Sequence, residues 1–303
     1  MTPPYPIPHS VREAIRGIFT SAAGATATLM SQAPSTYEET LDMSLVTALA
    51  AQSLPLHVDP GWILRFQTHF LGGRRHHYNW EIADLAVIIL FRVAGRTRRT
   101  KVVLMQSKRL YPIEQDHDEL TIGDYLVGMG RLAVPDDPWA EIIAGKTLTF
   151  SGKSEYKALR KDDRQYESIA EYETAHGVPV YYLLYNPRSV PHQVRTPVDG
   201  PVDVAGACTA GARVFRSPHL RSLGEPLTRF TFADLEGTFT DSPMAGTPAG
   251  WRLEDFVADL AVDCHEGYHA ASPEEPGLQR IFTRRAGPIS SAVSIIIDAP
   301  DGV

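Results

Sequence analysis

The segment Ile82 to Phe91, IADLAVIILF, restricts the fold more than any other stretch of the chain. It is β-branched and apolar apart from one carboxylate, Asp84, and it is far shorter than the ~18 apolar residues of a membrane span. Such a run is read as a central strand covered on both faces. A polar linker, RVAGRTRRT, leads to KVVLMQSKRL, a second strand-like run, so the two are expected to pair as a hairpin. Strand side chains alternate, which puts Gln106 and Lys108 on one face and Met105 and Ser107 on the other. In an antiparallel hairpin the start of the first strand meets the end of the second, so Asp84, Gln106 and Lys108 are expected to come together.

A carboxylate, an amide and an ammonium side by side suit phosphodiester hydrolysis. That reaction needs a divalent cation on oxygen ligands, an activated water, and positive charge near the developing phosphorane. Mg²⁺ keeps several waters and needs few protein ligands, with Mn²⁺ as the alternative. In this reading Asp84 and Gln106 ligate the metal, and Lys108 serves the water or the transition state. A further carboxylate is available upstream. STYEETLDMSLVTALA reads as a helix with Ser35 or Thr36 as N-cap and Leu41, Leu45, Ala48 and Leu49 on one face. With Leu41 at zero and ~100° per residue, Glu38 falls at about 60°, inside that arc, and Glu39 at about 160°, outside it. Glu38 is therefore the preferred helix ligand, and Glu39 stays open as its alternative.

Around these segments the order helix, strands, helix, strand is that of an α/β domain over residues 35–190. WILRFQTHF, Trp62 to Phe70, is expected as a strand, and a helix is expected near Thr121 to Leu132. SGKSEYKALRKDDRQYESIAEYETAHG reads as helical up to Gly177, and VPVYYLLYNP as a strand ended by Asn186-Pro187. Residues 1–34, rich in proline and small side chains, are expected as an N-terminal arm with a short helix at Val11 to Phe19. Residues 191–303 are expected as a C-terminal elaboration, with a helix from Arg252 to Cys264 and a last short strand.

The arrangement of these motifs resembles the PD-(D/E)XK nuclease superfamily, in the variant where Gln replaces the acidic residue of the third motif. It is similar to Mrr-like restriction enzymes, to antiphage effector nucleases and to an uncharacterised bacterial family of that superfamily. The matching text is EET at Glu38 to Thr40, IADLAVII at Ile82 to Ile89 and LMQSKRL at Leu104 to Leu110. The RQYESI helix, the YYLLYNP strand and GAC at Gly206 to Cys208 follow in order. The resemblance implies a restriction-endonuclease-like core, a central mixed β-sheet flanked by helices. It further implies a Mg²⁺-dependent nuclease, DNA ahead of RNA, serving bacterial antiviral defence with a defence-system partner or as a homo-oligomer. Glu38, Asp84, Gln106 and Lys108 then form the catalytic set, and Gln165 in the closing helix adds a polar contact.

Bulk charge does not announce a nucleic-acid protein: 29 Lys and Arg face 36 Asp and Glu, a net charge of −7. Locally the picture differs. Between Leu85 and Ile113 there is no Asp or Glu, while Arg92, Arg96, Arg98, Arg99, Lys101, Lys108 and Arg109 bring positive charge. Arg96, Arg98, Arg99, Lys101 and Arg109 are expected to contact phosphates. Lys153, Lys157, Arg160, Lys161 and Arg164 form a second basic cluster, and Arg74, Arg75, His76 and His77 a third. The 43% hydrophobic and 21% charged residues exclude wholesale disorder. Cysteine scarcity fits a reducing, cytoplasmic setting, and no signal peptide or membrane span is apparent, so no membrane partner is expected.

Structural readings compete with each of these. Glu38 or Glu39 could simply complete a capping box. Lys108 and Arg109 could end a solvated strand, and the Arg-rich linker could be an ordinary hairpin turn. Tyr181, Tyr182 and Tyr185 read as core packing in an apolar strand. Asp84 resists the bland reading most, because a carboxylate among buried aliphatics is costly unless paired or coordinated. The alternative function is a non-catalytic nuclease-like module that binds nucleic acid or a protein partner.

Overall fold

In the computed structural model the hairpin sits within a wide mixed sheet. The structure describes residues 2–70, 82–116, 146–160, 164–196, 208–223, 229–247, 249–272, 274–282 and 289–302. The helix expected at Thr121 to Leu132, the Arg74 to His77 loop, Lys161 and Gly206 lie outside them. Among the described residues the main sheet has ten strands. They are β1 (Leu56–Asp59), β2 (Trp62–Phe70), β3 (Ala83–Val93), β4 (Arg96–Arg109) and β5 (Val180–Tyr185), then β6 (Arg213–Arg216), β7 (Phe239–Thr240), β8 (Gly250–Arg252), β9 (Tyr268–Ala270) and β10 (Ile289–Ala299). Their spatial order is β1-β2-β10-β3-β4-β5-β6-β8-β7, with β9 pairing β4.

β3 and β4 pair antiparallel, with Leu85 opposite Met105 and Ile89 opposite Lys101. Only Ala94 and Gly95 separate the two strands, and both have positive φ, 49° and 72°. A two-residue turn of that kind matches the right-handed twist of the strands it joins. β4 changes partner along its length: residues 100–102 pair with β9, and residues 104–109 pair parallel with β5.

The last strand enters the middle of the sheet. β10 runs parallel to β3 and antiparallel to β2, with Val293 level with Val87. Its ISSAVSIIIDA sequence is buried along nearly its whole length, which the bare core boundary at 190 does not convey. The C-terminal segment thus completes the sheet that residues 35–190 begin.

The proline-rich start is also part of the core rather than an arm. It forms α1, His9–Gln32, a 24-residue helix that buries Val11, Ile15, Phe19, Ala22, Ala23 and Met30. Beyond Phe19 the buried stripe is mostly small, with Ala22, Ala23, Thr26, Ala27 and Ser31, and its weak hydrophobic signal hides the extension of the helix. α1 lies against α2 (Glu38–Ala50) and against a helical turn, Leu253–Asp255, that continues as the π-helix Phe256–Ala261. Arg12 pairs with Asp263 at 2.9 Å and Arg16 with Asp259 at 2.6 Å, while Tyr5 donates to the Ile297 carbonyl of β10 at 3.0 Å.

The region expected to be helical up to Gly177 divides in two. Glu155–Arg160 is a strand, and α3 is Arg164–His176. α3 ends as its sequence predicts: Gly177 has φ 63° and its N–H bonds the Glu173 carbonyl at 2.9 Å. Tyr166 of α3 stacks on Tyr182 of β5, with centroids 6.5 Å apart. Among the described residues no helix is long and apolar enough to cross a membrane.

Candidate functional site

The site is built where β4 outruns β3. The ladder between them is last paired at Leu85 and Met105, and one further step sets Asp84 opposite Gln106. Beyond that point β4 offers backbone N–H groups that β3 does not meet. Alternate N–H groups of a strand point the same way, so those of Ser107 and Arg109 face this bare edge. Leu110 turns its N–H to the other side, onto the Tyr185 carbonyl at 2.9 Å.

Two carboxylates occupy the edge. Asp84 Oδ2 accepts the Ser107 N–H at 2.7 Å and also the side-chain amide of Gln106. Glu38 Oε1 accepts the Arg109 N–H at 3.1 Å, and Glu38 Oε2 lies 3.6 Å from Lys108 Nζ. Donors two residues apart in a strand stand about 6.6 Å from one another, which sets the approximate spacing of the two acids along β4. Glu38, Asp84, Gln106 and Lys108 are thus all held at one end of one strand.

α2 reaches this end because it starts later than its capping signals predict. Its N-cap is Tyr37, with no side-chain cap, and Glu38 is its first residue. The Thr36 hydroxyl bonds the Ala33 carbonyl at 2.7 Å instead. Glu38 therefore completes no capping box with Ser35 or Thr36, and its carboxylate goes to β4. Glu39, the alternative, is exposed.

A third acid, absent from the sequence reading, fixes the helix to the sheet. Asp42 Oδ1 accepts from Ser107 Oγ at 2.6 Å and from Tyr185 OH at 2.7 Å. Asp42 is one turn after Glu38, and on the same wheel it falls about 20° past Leu49; that spacing was the available signal. Burial, with Glu38 nearby, pushes its carboxyl up to about 6, against the two hydrogen bonds and the Lys108 charge. Tyr185 is pushed well above the ordinary phenol range by burial and by Asp42. α2 thus covers the Ser107 face, and Glu38 meets Lys108 around the strand end. On the opposite face Tyr182, level with Gln106, carries Tyr166 of α3. Gln165 is the neighbour of Tyr166 on that helix.

The donor set suits a hard cation. Gln106 is 2% exposed, and its Oε1 is a buried acceptor with no hydrogen-bond partner among the described residues. Buried acceptors left this way are uncommon and call for an explanation such as an ion. No three His, Cys, Asp or Glu side chains gather into a cage among the described residues. Glu38, Asp84 and the Gln106 amide oxygen are enough for an ion that retains several waters.

The expected phosphate contacts are placed differently. Arg96 and Arg98 are exposed at the hairpin turn, with Arg98 about 33 Å and Arg96 about 40 Å along β4 from Lys108. Arg99 is turned toward the Thr2 carbonyl. Lys101 is 1% exposed, and burial lowers its amine to about 8. Arg109, 2% exposed, donates to the Thr36 and Pro34 carbonyls and lies 4.4 Å from the Tyr111 ring centroid. Lys101 and Arg109 are interior residues, so the acid-free stretch is not one basic surface. Position along a strand, unlike position in sequence, separates the two ends of the cluster.

A cleft of about 490 Å³ opens beside the Glu38 end, lined by Arg109, Tyr111, Glu114, Lys153, Glu155 and Lys157 among others. Comparison with protein-family models, curated proteins and solved structures gave no match for this chain.

Proposed function

We propose that the chain is a metal-dependent nuclease with a restriction-endonuclease-like core, hydrolysing phosphodiester bonds in DNA in preference to RNA. The observation that carries this reading is the buried Gln106 amide, bonded to Asp84 through its nitrogen and with Oε1 unpartnered among the described residues, in a strand that also holds Lys108 against Glu38.

Glu38, Asp84 and Gln106 would hold Mg²⁺ or Mn²⁺, which when bound supplies Lewis acidity toward the phosphoryl oxygen and lowers the pKa of a water. The protein prepares the ligands beforehand. The Ser107 N–H and the Gln106 amide fix the Asp84 carboxylate, and the Arg109 N–H fixes that of Glu38. Asp42 fastens α2, and Glu38 with it, onto β4 and β5. Lys108, 5% exposed and 3.6 Å from Glu38, would set its amino group where the phosphorane develops.

Incubation with plasmid and linear DNA, in Mg²⁺, in Mn²⁺ and in EDTA, tests the proposal. Cleavage is expected with either metal and not in EDTA. Absence of metal-dependent cleavage by the wild type, with Lys108→Ala binding DNA equally well, would replace it with the non-catalytic binding module.

A further inference from the structure

The cleft next to Glu38 has a composition that the site itself does not need. Lys153 and Lys157 are exposed on its wall. Lys157 Nζ lies 5.1 Å from the Tyr111 ring centroid, and the Arg109 guanidinium 4.4 Å from it. Of the two carboxylates on the wall, Glu155 is already engaged by Arg229 at 3.3 Å. The balance favours an anion. The cleft is also continuous with the site: Arg109 joins the two through its N–H to Glu38, and Glu38 acts electrostatically on Arg109 and on Tyr111. Tyr37, directly before Glu38 and close in sequence to the lining residues Pro34 and Ser35, is 76% exposed. A tyrosine so exposed leaves its ring open to a ligand.

We propose that this cleft takes an unpaired nucleic-acid strand, with Lys153 and Lys157 on consecutive phosphates and Tyr37 as a stacking surface for a base. Basic grooves with aromatic platforms are how single strands are gripped without reading sequence. A duplex would instead need a broad basic face, and the exposed pair Arg96 and Arg98 stands at the far end of β4, away from this cleft. The inference rests on the nuclease reading in making this strand the one cleaved, and deepens it by naming the strand state.

The test is fluorescence anisotropy of labelled dT20 and of a 20-base-pair duplex with the full chain in EDTA, beside cleavage in Mg²⁺. Wild type is expected to bind dT20 at least fivefold more tightly than the duplex. Lys153→Glu/Lys157→Glu should weaken dT20 binding by tenfold or more and flatten its salt dependence by roughly 0.7 per lost phosphate contact. Tyr37→Ala should weaken it by about tenfold, with thermal melts matching the wild type in each case. Preference for the duplex, or unchanged dT20 binding by the double variant, overturns the proposal. If the double variant binds normally while wild type cleaves with metal, the cleft assignment fails and the nuclease reading stands. If binding falls as expected but wild type cleaves nothing, the cleft stands as a binding site and the nuclease reading fails.

Discussion

Asp42 of α2 and Tyr185 of β5 share a 2.7 Å hydrogen bond across the helix–sheet interface, and the same Asp42 oxygen takes the Ser107 hydroxyl at 2.6 Å. One carboxylate thereby sets the position of the helix that carries Glu38. Because burial raises its pKa from 3.8 to about 6, the folded state binds the Asp42 proton more tightly than the unfolded state does. The stability from this group is fully present below pH ~4 and is lost as pH rises through 6. Asp42→Asn should therefore flatten the fall in Tm between pH 4 and 6, measured by calorimetry against wild type. An unchanged Tm–pH slope would contradict this account.

Asp84→Asn keeps the shape of a side chain that the Ser107 N–H and the Gln106 amide hold in place. Its neutral amide is a poor ligand for a hard cation. Metal-dependent cleavage should fall by at least ~10²-fold, a typical loss for one electrostatic contributor, with little change in DNA binding.

Lys108→Ala removes a cation that is 5% exposed and 3.6 Å from Glu38. The effect should fall mainly on kcat rather than KM, because the charge is needed most where the phosphorane forms. A pure KM change would recast Lys108 as a substrate-binding residue.

Arg109→Ala is expected to act on folding. It strips donors from the Pro34 and Thr36 carbonyls and removes the cation stacked on Tyr111. Buried acceptors left without donors cost about 1–3 kcal/mol each. Urea denaturation should show a loss of about 2–4 kcal/mol, and salt should not restore it.

Arg96→Glu/Arg98→Glu reverses two exposed charges at the hairpin turn, about 33–40 Å from Lys108 along the strand. Cleavage rate and single-strand affinity should stay within about twofold of wild type. A tenfold loss would show that substrate reaches the turn.

Much of this architecture can be read from local pattern. IADLAVIILF and KVVLMQSKRL pair as their alternation and polar linker predict, and the Ala94-Gly95 turn lets Asp84 meet Gln106. Gly177 and Asn186-Pro187 end their elements where they should. These features are legible because periodicity and turn chemistry are properties of neighbours in sequence. Of the helix His9–Gln32 only the stretch Val11 to Phe19 was legible; its extension to Gln32 and its place in the core were not, since its burial depends on partners more than two hundred residues away, among them Asp259 and Asp263.

The central place of Ile289–Ala299 has the same cause: strand order is a non-local choice, made by which apolar faces can be covered together. At the site, sequence alone determined the residue types and the strand that carries them. Tertiary structure decided which acids reach that strand, placing Glu38 and Asp84 on the backbone donors that β3 leaves bare and adding Asp42 to clamp the helix. It also divided the basic cluster, because a strand fourteen residues long carries the two ends of one charged sequence to opposite ends of the sheet.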